Sequence, residues 1–455
     1  MWFLILLTLF NAGAHQLDVI NAMRFDFGRI SLGVMELSAM VLFVYALIFG
    51  SSISSRYPNH RTHPAFAVTL GLLVAGFIVG SIGSFIEHVP LELYLRQARE
   101  LGTWPVFMFV GYRLLGSPRS AIRFVYVLII AGTLTATMLL TNFGSKSEGI
   151  EWHDNFNVVR TSWYIGAYAG MAAMTLGHSL ATKSKLLPMI IAAPLACYCL
   201  AGQCAPLHRG DWLAMILCTG GLVSLVPPGK RVATALRGLL VVGVLALGLV
   251  VAITIVSSTT NRNFGEYVQN RLVSLLPSER QTTHDTKAWD TRVGSIQQEL
   301  DIWATNPLIG RGIEIQAGMV VRGTLSNTMA YHHNGWASIL AQMGLVGFAG
   351  YMMIVGGLFW IGRKVALRSP DRRLRLVGVV AFLGAIYMIA GVAAGPIWAT
   401  RYAILFGTLC GMAYRCLDMM PIGATDQAFI DQASMDQAGL PDSMESEWVH
   451  ASEGF

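Results

Sequence analysis

Residues 331–350 read YHHNGWASILAQMGLVGFAG. Here a long polar interval returns to apolar sequence. That interval, 258–335, is the longest polar stretch in the chain, and it contains Arg271, Arg280, Asp290, Arg292, Asp301, Arg311, Arg322, His332 and His333. After His333-Asn334-Gly335-Trp336 the sequence stays apolar through Leu340, Met343-Gly344-Leu345 and Gly347. The interval therefore reads as a loop at a membrane–water boundary. The remainder reads as the helical scaffold that presents it.

Composition supports this. The 455 residues are 54% hydrophobic and 13% charged, with a mean hydropathy of +0.54. Soluble domains usually carry about 25% charged residues. The apolar residues come mostly in blocks of roughly 17 or more, long enough for a helix to cross the hydrocarbon layer. The class implied is all-α, a polytopic helical membrane protein. A net charge of +6 would suit nucleic acid, but the basic residues sit in short loops between apolar runs, so no nucleic-acid partner is expected. Cys197, Cys199, Cys204, Cys218, Cys410 and Cys416 show neither a disulfide framework nor metal spacing, and read as small apolar residues.

Working outward, residues 2–10 are apolar but short. They are either a shortened first span or, with Ala12-Gly13-Ala14 behind them, a signal-like segment lacking a basic start. Eleven further apolar blocks lie near 30–50, 65–86, 103–117, 122–141, 161–180, 186–203, 211–227, 233–257, 336–361, 376–393 and 397–414, about twelve in all. Every second loop is basic: Arg56 and Arg61, then Arg113, Arg119 and Arg123, then Lys183 and Lys185, then Lys230, Arg231 and Arg237, then the run from Arg363 to Arg375. Basic loops face the cytoplasm. Loops near 87–102, 142–160, 204–210, 258–335 and 394–396 then face outward, with Arg24, Arg29 and Arg401 as exceptions. The chain divides into a transmembrane bundle at 1–257, a large periplasmic loop at 258–335, further transmembrane helices at 336–416 and an acidic inward tail at 417–455. The outward loop at 87–102, with Glu92, Arg96, Arg99 and Glu100 spaced among leucines, suggests a short interfacial helix.

Three outward features could carry chemistry. Arg209 lies in Pro206-Leu207-His208-Arg209-Gly210-Asp211-Trp212, between two spans. An arginine there is commonly a snorkelling anchor, yet outward arginines run against the charge bias. Next, apolar positions recur at helical spacing from Val293 to Trp303, and Asn306-Pro307 and Gly310 stop that helix, whose first turn would carry Arg292. The plainer reading is an amphipathic helix with Arg292 solvated. The third is His332-His333-Asn334. Two adjacent histidines without a third ligand at a recognisable interval make a weak metal signal, so no metal is expected. A neutral imidazole is suited to take a proton from a hydroxyl.

Taken in order, Arg292, Trp303, Asn306-Pro307-Leu308-Ile309-Gly310-Arg311-Gly312, His333-Asn334 and Leu340-Ala341-Gln342-Met343-Gly344-Leu345-Val346-Gly347 resemble the O-antigen ligase and polymerase family. His208-Arg209-Gly210-Asp211 resembles that family's Ser-Arg-Gly segment, with His208 in place of Ser. Gln342 stands where an acidic residue is common. The motifs cover about residues 190–350. The resemblance implies a bacterial inner-membrane glycosyltransferase with its active site facing the periplasm. Its donor would be a polyprenyl-diphosphate-linked glycan, and its acceptor a lipid A core or a growing lipid-linked glycan. Protein side-chain hydroxyls are a third acceptor class, and a chain-length regulator would be a natural partner.

On that resemblance Arg209 and Arg292 hold the diphosphate, and His333 handles the acceptor hydroxyl. Arg280, Arg311, His332 and Asn334 are expected at the substrate, with either imidazole open as the working one. No Asp-x-Asp occurs in the outward loops, so transfer without metal or cofactor is expected. The competing class is a transporter or flippase of lipid-linked sugars. Such proteins tend to show paired halves and ionisable residues at the membrane midplane, neither of which is visible here.

Overall fold

The computed structural model describes residues 5, 24–27, 30–54, 63–114, 116–141, 164–182, 186–204, 209–226, 229, 231–236, 243, 283–314, 334–392 and 402–420. Among them helix predominates, with one exception to the all-α expectation. Arg24–Phe27 (β1) and Ile30–Gly33 (β2) form an antiparallel two-stranded hairpin that pairs Arg24 with Gly33 and Phe27 with Ile30. Alternation in Arg24-Phe25-Asp26-Phe27 was the available strand signal.

The helices are α1 (Val34–Ser54), α2 (Pro64–Ile86), α3 (Leu91–Leu114), α4 (Pro118–Thr141), α5 (Tyr164–Ala181), α6 (Met189–Cys204) and α7 (Arg209–Ser224). Then come α8 (Thr283–Thr305), α9 (Gly335–Gly356), α10 (Gly362–Arg368), α11 (Arg372–Val392) and α12 (Thr408–Asp418). A π-helical turn, Gly357–Ile361, joins α9 to α10, and another, Ala403–Gly407, leads into α12. Four of the described helices are long and apolar enough to cross a membrane: Pro64–Ile86, Pro118–Leu140, Gly335–Arg368 and Arg372–Gly391. Leu37–Gly50, Met189–Cys204 and Gly210–Ser224 are apolar but shorter. The expected block at 233–257 and the tail after 420 lie almost entirely outside the described residues.

Sequence dictates the helix starts plainly. Pro64 occupies the first turn of α2, where a missing N–H costs nothing, and His63 Nδ1 accepts from Ala65 N–H at 3.3 Å. One boundary differs from expectation. The 87–102 loop does not hold a separate interfacial helix: from Leu91 it is already α3, which runs on through Pro105.

The packing is that of a protein whose exterior is apolar. On α2 the face turned inward is Phe66, Thr69, Leu73, Gly76, Gly80 and Ser84, mostly small, at helical spacing. The opposite face exposes Val74, Ile78, Ile82 and Phe85. Small residues inside and large apolar ones outside are the arrangement lipid favours, because close backbone approach then drives association. Gly76 and Gly347 show it: a Cβ at Gly76 would stand 2.5 Å from Gly347 Cα. Gly80 meets Met343 in the same seam, so α2 and α9 are antiparallel.

At the far end Phe66 stacks on Tyr112 (4.0 Å), Thr69 and Tyr414 share a hydrogen bond of 3.0 Å, and Tyr112 donates to Asp418 at 2.6 Å. These ties join α2, α3 and α12. Short links at 87–90 and 369–371 reverse the chain between neighbours. α11 therefore returns to the end where α9 starts. There Tyr387 accepts from Gln203 Nε2 at 2.8 Å. The end of α2, the end of α6, the start of α7 and the start of α9 thus share one end of the bundle.

Candidate functional site

That common end is organised around a break in α9. Gly344 has φ 61° and ψ −161°, outside the helical region. In an unbroken helix Leu345 N–H would bond to Ala341 C=O, and Val346 N–H to Gln342 C=O. Both bonds are open. All four groups are taken up instead by the segment after α8. Arg311 N–H donates to Ala341 O (2.8 Å) and Gly312 N–H to Gln342 O (3.1 Å), while Leu345 N–H donates to Pro307 O (2.9 Å) and Val346 N–H to Leu308 O (3.2 Å). Asn306-Pro307-Leu308-Ile309-Gly310-Arg311-Gly312 is therefore a plug that repairs the broken helix. Buried backbone groups in an apolar setting must be paired, and this pairing explains why the two motifs occur together.

The plug demands glycine. Gly310 has φ 70°, and a Cβ there would stand 2.6 Å from backbone atoms of Gln342, Met343 and Gly344. α2 closes the other side: Ile313 N–H donates to Gly80 O (3.1 Å), and Ser84 Oγ donates to Ile313 O (2.9 Å). Gln342, where the resemblance leads one to expect an acid, is buried, and its Oε1 accepts from Glu314 N–H at 3.5 Å.

Arg311, expected at the substrate, pairs with Glu87. Its Nε donates to Glu87 Oε1 at 2.5 Å, NH2 contacts the same oxygen, and NH1 reaches Thr305 Oγ1 at 3.4 Å. It thereby fastens the end of α8 to the end of α2. Beside this pair Ser84, Phe85, His88, Val89, Leu91 and Tyr94 line an open cavity of about 370 Å³.

α8 lies along the first half of α9. Ser338 Oγ donates to the buried Glu299 Oε1 at 2.5 Å, and Ile302 packs with Ala341 and Val89. Both pairs are 39 positions apart, so the two helices run in the same direction. α8 starts at Thr283, so Arg292 falls mid-helix and not in the first turn as expected. The early start reflects polar residues 283–291, whose lack of apolar periodicity hid the first two turns. The stop at Asn306-Pro307 is as expected.

Asn334 caps α9. Its Oδ1 accepts from Trp336 N–H (3.0 Å) and Ala337 N–H (3.1 Å). That oxygen has a structural duty beside any contact with substrate. Arg209 is the first residue of α7. Two residues on, Asp211 is buried, and its backbone carbonyl accepts from Gln203 Nε2 at 3.0 Å. Gly166 and Gly170 leave the room that the Asp211 carboxylate, Tyr387 and Gln203 occupy. This buried polar knot of α5, α6, α7 and α11 fixes where α7 begins. Arg280, His332 and His333 lie outside the described residues.

Several of these residues escaped the sequence reading. Gln203 and Tyr387 are 184 positions apart, and no local pattern pairs them. Glu299 did leave a trace: it lies seven residues after Arg292, on the same helical face.

The fold and this end of the bundle together define a helical membrane protein with a polar, arginine-bearing rim. Residues 195–352 match the family model described as O-Antigen ligase, an interval running from within α6 past the break in α9. That match bears out the resemblance to the O-antigen ligase and polymerase family, over nearly the interval its motifs covered. No curated protein matches the chain.

Proposed function

We propose that this chain is a metal-independent membrane glycosyltransferase of the ligase or polymerase type. It transfers a glycan from a polyprenyl diphosphate to an acceptor hydroxyl at the periplasmic face of the bacterial inner membrane. The observation that carries the reading is the family match over 195–352, which takes in Arg209, Arg292, the plug, His333 and the broken helix. In this reading about twelve spans carry one periplasmic loop, 258–335.

Arg209 and Arg292 hold the diphosphate, since a planar guanidinium offers paired donors to phosphate oxygens. They stabilise charge as the lipid diphosphate leaves. His333 takes the proton of the acceptor hydroxyl, or His332 does so in its place. Attack from the face opposite the diphosphate inverts the anomeric centre. Arg280 contacts glycan or phosphate. Arg311 acts through the plug it anchors, and Asn334 through the helix start that follows His333. The acceptor is a lipid A core or a lipid-linked glycan, with protein hydroxyls as the third class. The apolar cavity beside Glu87 suits a lipid-borne donor. A chain-length regulator would act with a polymerase.

One observation favours the transporter reading: broken helices mark transport sites. A transport site, however, needs freed backbone groups facing substrate or ion. Here the four groups freed around Gly344 are bonded to residues 307–312, which favours the enzyme.

Replacing Arg292 or His333 with Ala should abolish glycan transfer while leaving the protein inserted and abundant. Full polymer output from both variants in a complementation assay would end this reading.

A further inference from the structure

Glu299 is 3% exposed, on a helix whose neighbouring positions Gln297, Gln298 and Asp301 face solvent. Burying a carboxylate is costly unless it is hydrogen-bonded. Here the bond is to Ser338 Oγ at 2.5 Å, which also lies 3.0 Å from Asn334 O. Asn334 is the cap of α9 and the residue after His333. A single chain of contacts therefore runs from α8 through Ser338 to the cap of α9.

The same contact sets height. With Glu299 level with Ser338 and the helices parallel, position 295 is level with Asn334. Arg292 then stands about one turn, roughly 5 Å, beyond the start of α9. Arg292 and Glu299 share one face of α8, being seven residues and about two turns apart. A slip of α8 by one residue would move Arg292 by about 1.5 Å along the axis and turn it by about 100°.

Resting on the proposed transfer reaction, we propose that Glu299 is a positioning residue for it: through Ser338 it locks the register of α8 on α9 and so fixes the height of Arg292 relative to the start of α9. The Glu299 carboxylate touches no substrate in this scheme. Its influence on the donor diphosphate passes through Arg292.

The test uses the full-length protein in vesicles, a synthetic polyprenyl-diphosphate-linked oligosaccharide as donor, and native-host membranes as acceptor source. Glu299→Ala should lower kcat on the order of 100-fold, the scale expected of an ångström-sized misplacement, with donor KM within about threefold. Glu299→Gln, which keeps an oxygen for Ser338 Oγ, should recover most of that loss. Arg292→Lys should cost much less in the Glu299→Ala background than in the wild type, because the two act on one geometry. Unchanged kcat in Glu299→Ala, or strictly additive losses with Arg292→Lys, would overturn the proposal. So would failure of Glu299→Gln to recover activity while its thermal midpoint matches the wild type. Retained transfer in both Arg292→Ala and His333→Ala would instead overturn the transfer reading itself.

Discussion

Arg311 and Arg292 show how little residue type alone decides. Both are arginines in the polar interval before α9, and both were expected at the substrate. Arg311 is held by Glu87 and Thr305, and its backbone N–H closes the break in α9. Its side chain is a fastening between two partly exposed ends, and such pairs contribute about 1 kcal/mol or less. Arg311→Ala should therefore lower stability by no more than about that amount, read as a denaturant midpoint, and Glu87→Ala should behave alike. The double variant should match either single one, because they break one tie. A loss of donor binding in Arg311→Ala but not in Glu87→Ala would return Arg311 to the substrate.

Among elements, the plug and the broken helix are the pair that matters. The sequence motifs were legible as an ordered set, and the stop at Asn306-Pro307 was legible from turn chemistry. Their partnership was not, because it is made by backbone groups thirty or more residues apart, which leave no side-chain pattern. Gly344 was visible only as one glycine among many in an apolar run. The start of α8 was missed for a related reason: its first turns hold only Ala288 and Trp289 as apolar residues, too few for a periodicity to register. The buried Gln203–Tyr387 contact joins α6 to α11 and was equally silent. Gly344→Ala should be severe. Its backbone conformation excludes a Cβ, and the added atom would press on Leu308 and Gly310. The cost should be about 3 kcal/mol or more, seen as loss of folded protein from the membrane fraction. Gly310→Ala should do the same, whereas Gly71→Ala, with open space around it, should not. Wild-type abundance in Gly344→Ala would refute the plug.

For the whole molecule, alternation of basic loops sets an expected order and direction for the spans. The described helices reverse at the short links 87–90 and 369–371. What composition could not supply was which helices touch. α2 reaches across some 260 residues of sequence to α9. The short β-hairpin was missed because four-residue strands barely register in a sequence so rich in apolar blocks. Orientation can be tested directly. A cysteine placed at Leu308, which is 65% exposed, or at Ser326 should react with a membrane-impermeant maleimide on intact cells. One placed at Ser117, between α3 and α4, should react only after permeabilisation. Native background should come from the half-buried Cys197, because Cys199, Cys204, Cys218, Cys410 and Cys416 are buried. The reverse pattern would put the rim in the cytoplasm.

The order of the plug and the break along the chain carries a further consequence. A growing polypeptide emerges amino end first, so residues 306–314 leave the ribosome some thirty positions ahead of Gly344. The repair piece is therefore made before the damage it repairs, and it is ready to dock as the interrupted span enters the bilayer. A chain wired in the opposite order would have to hold an unmended helix in hydrocarbon until its patch was synthesised.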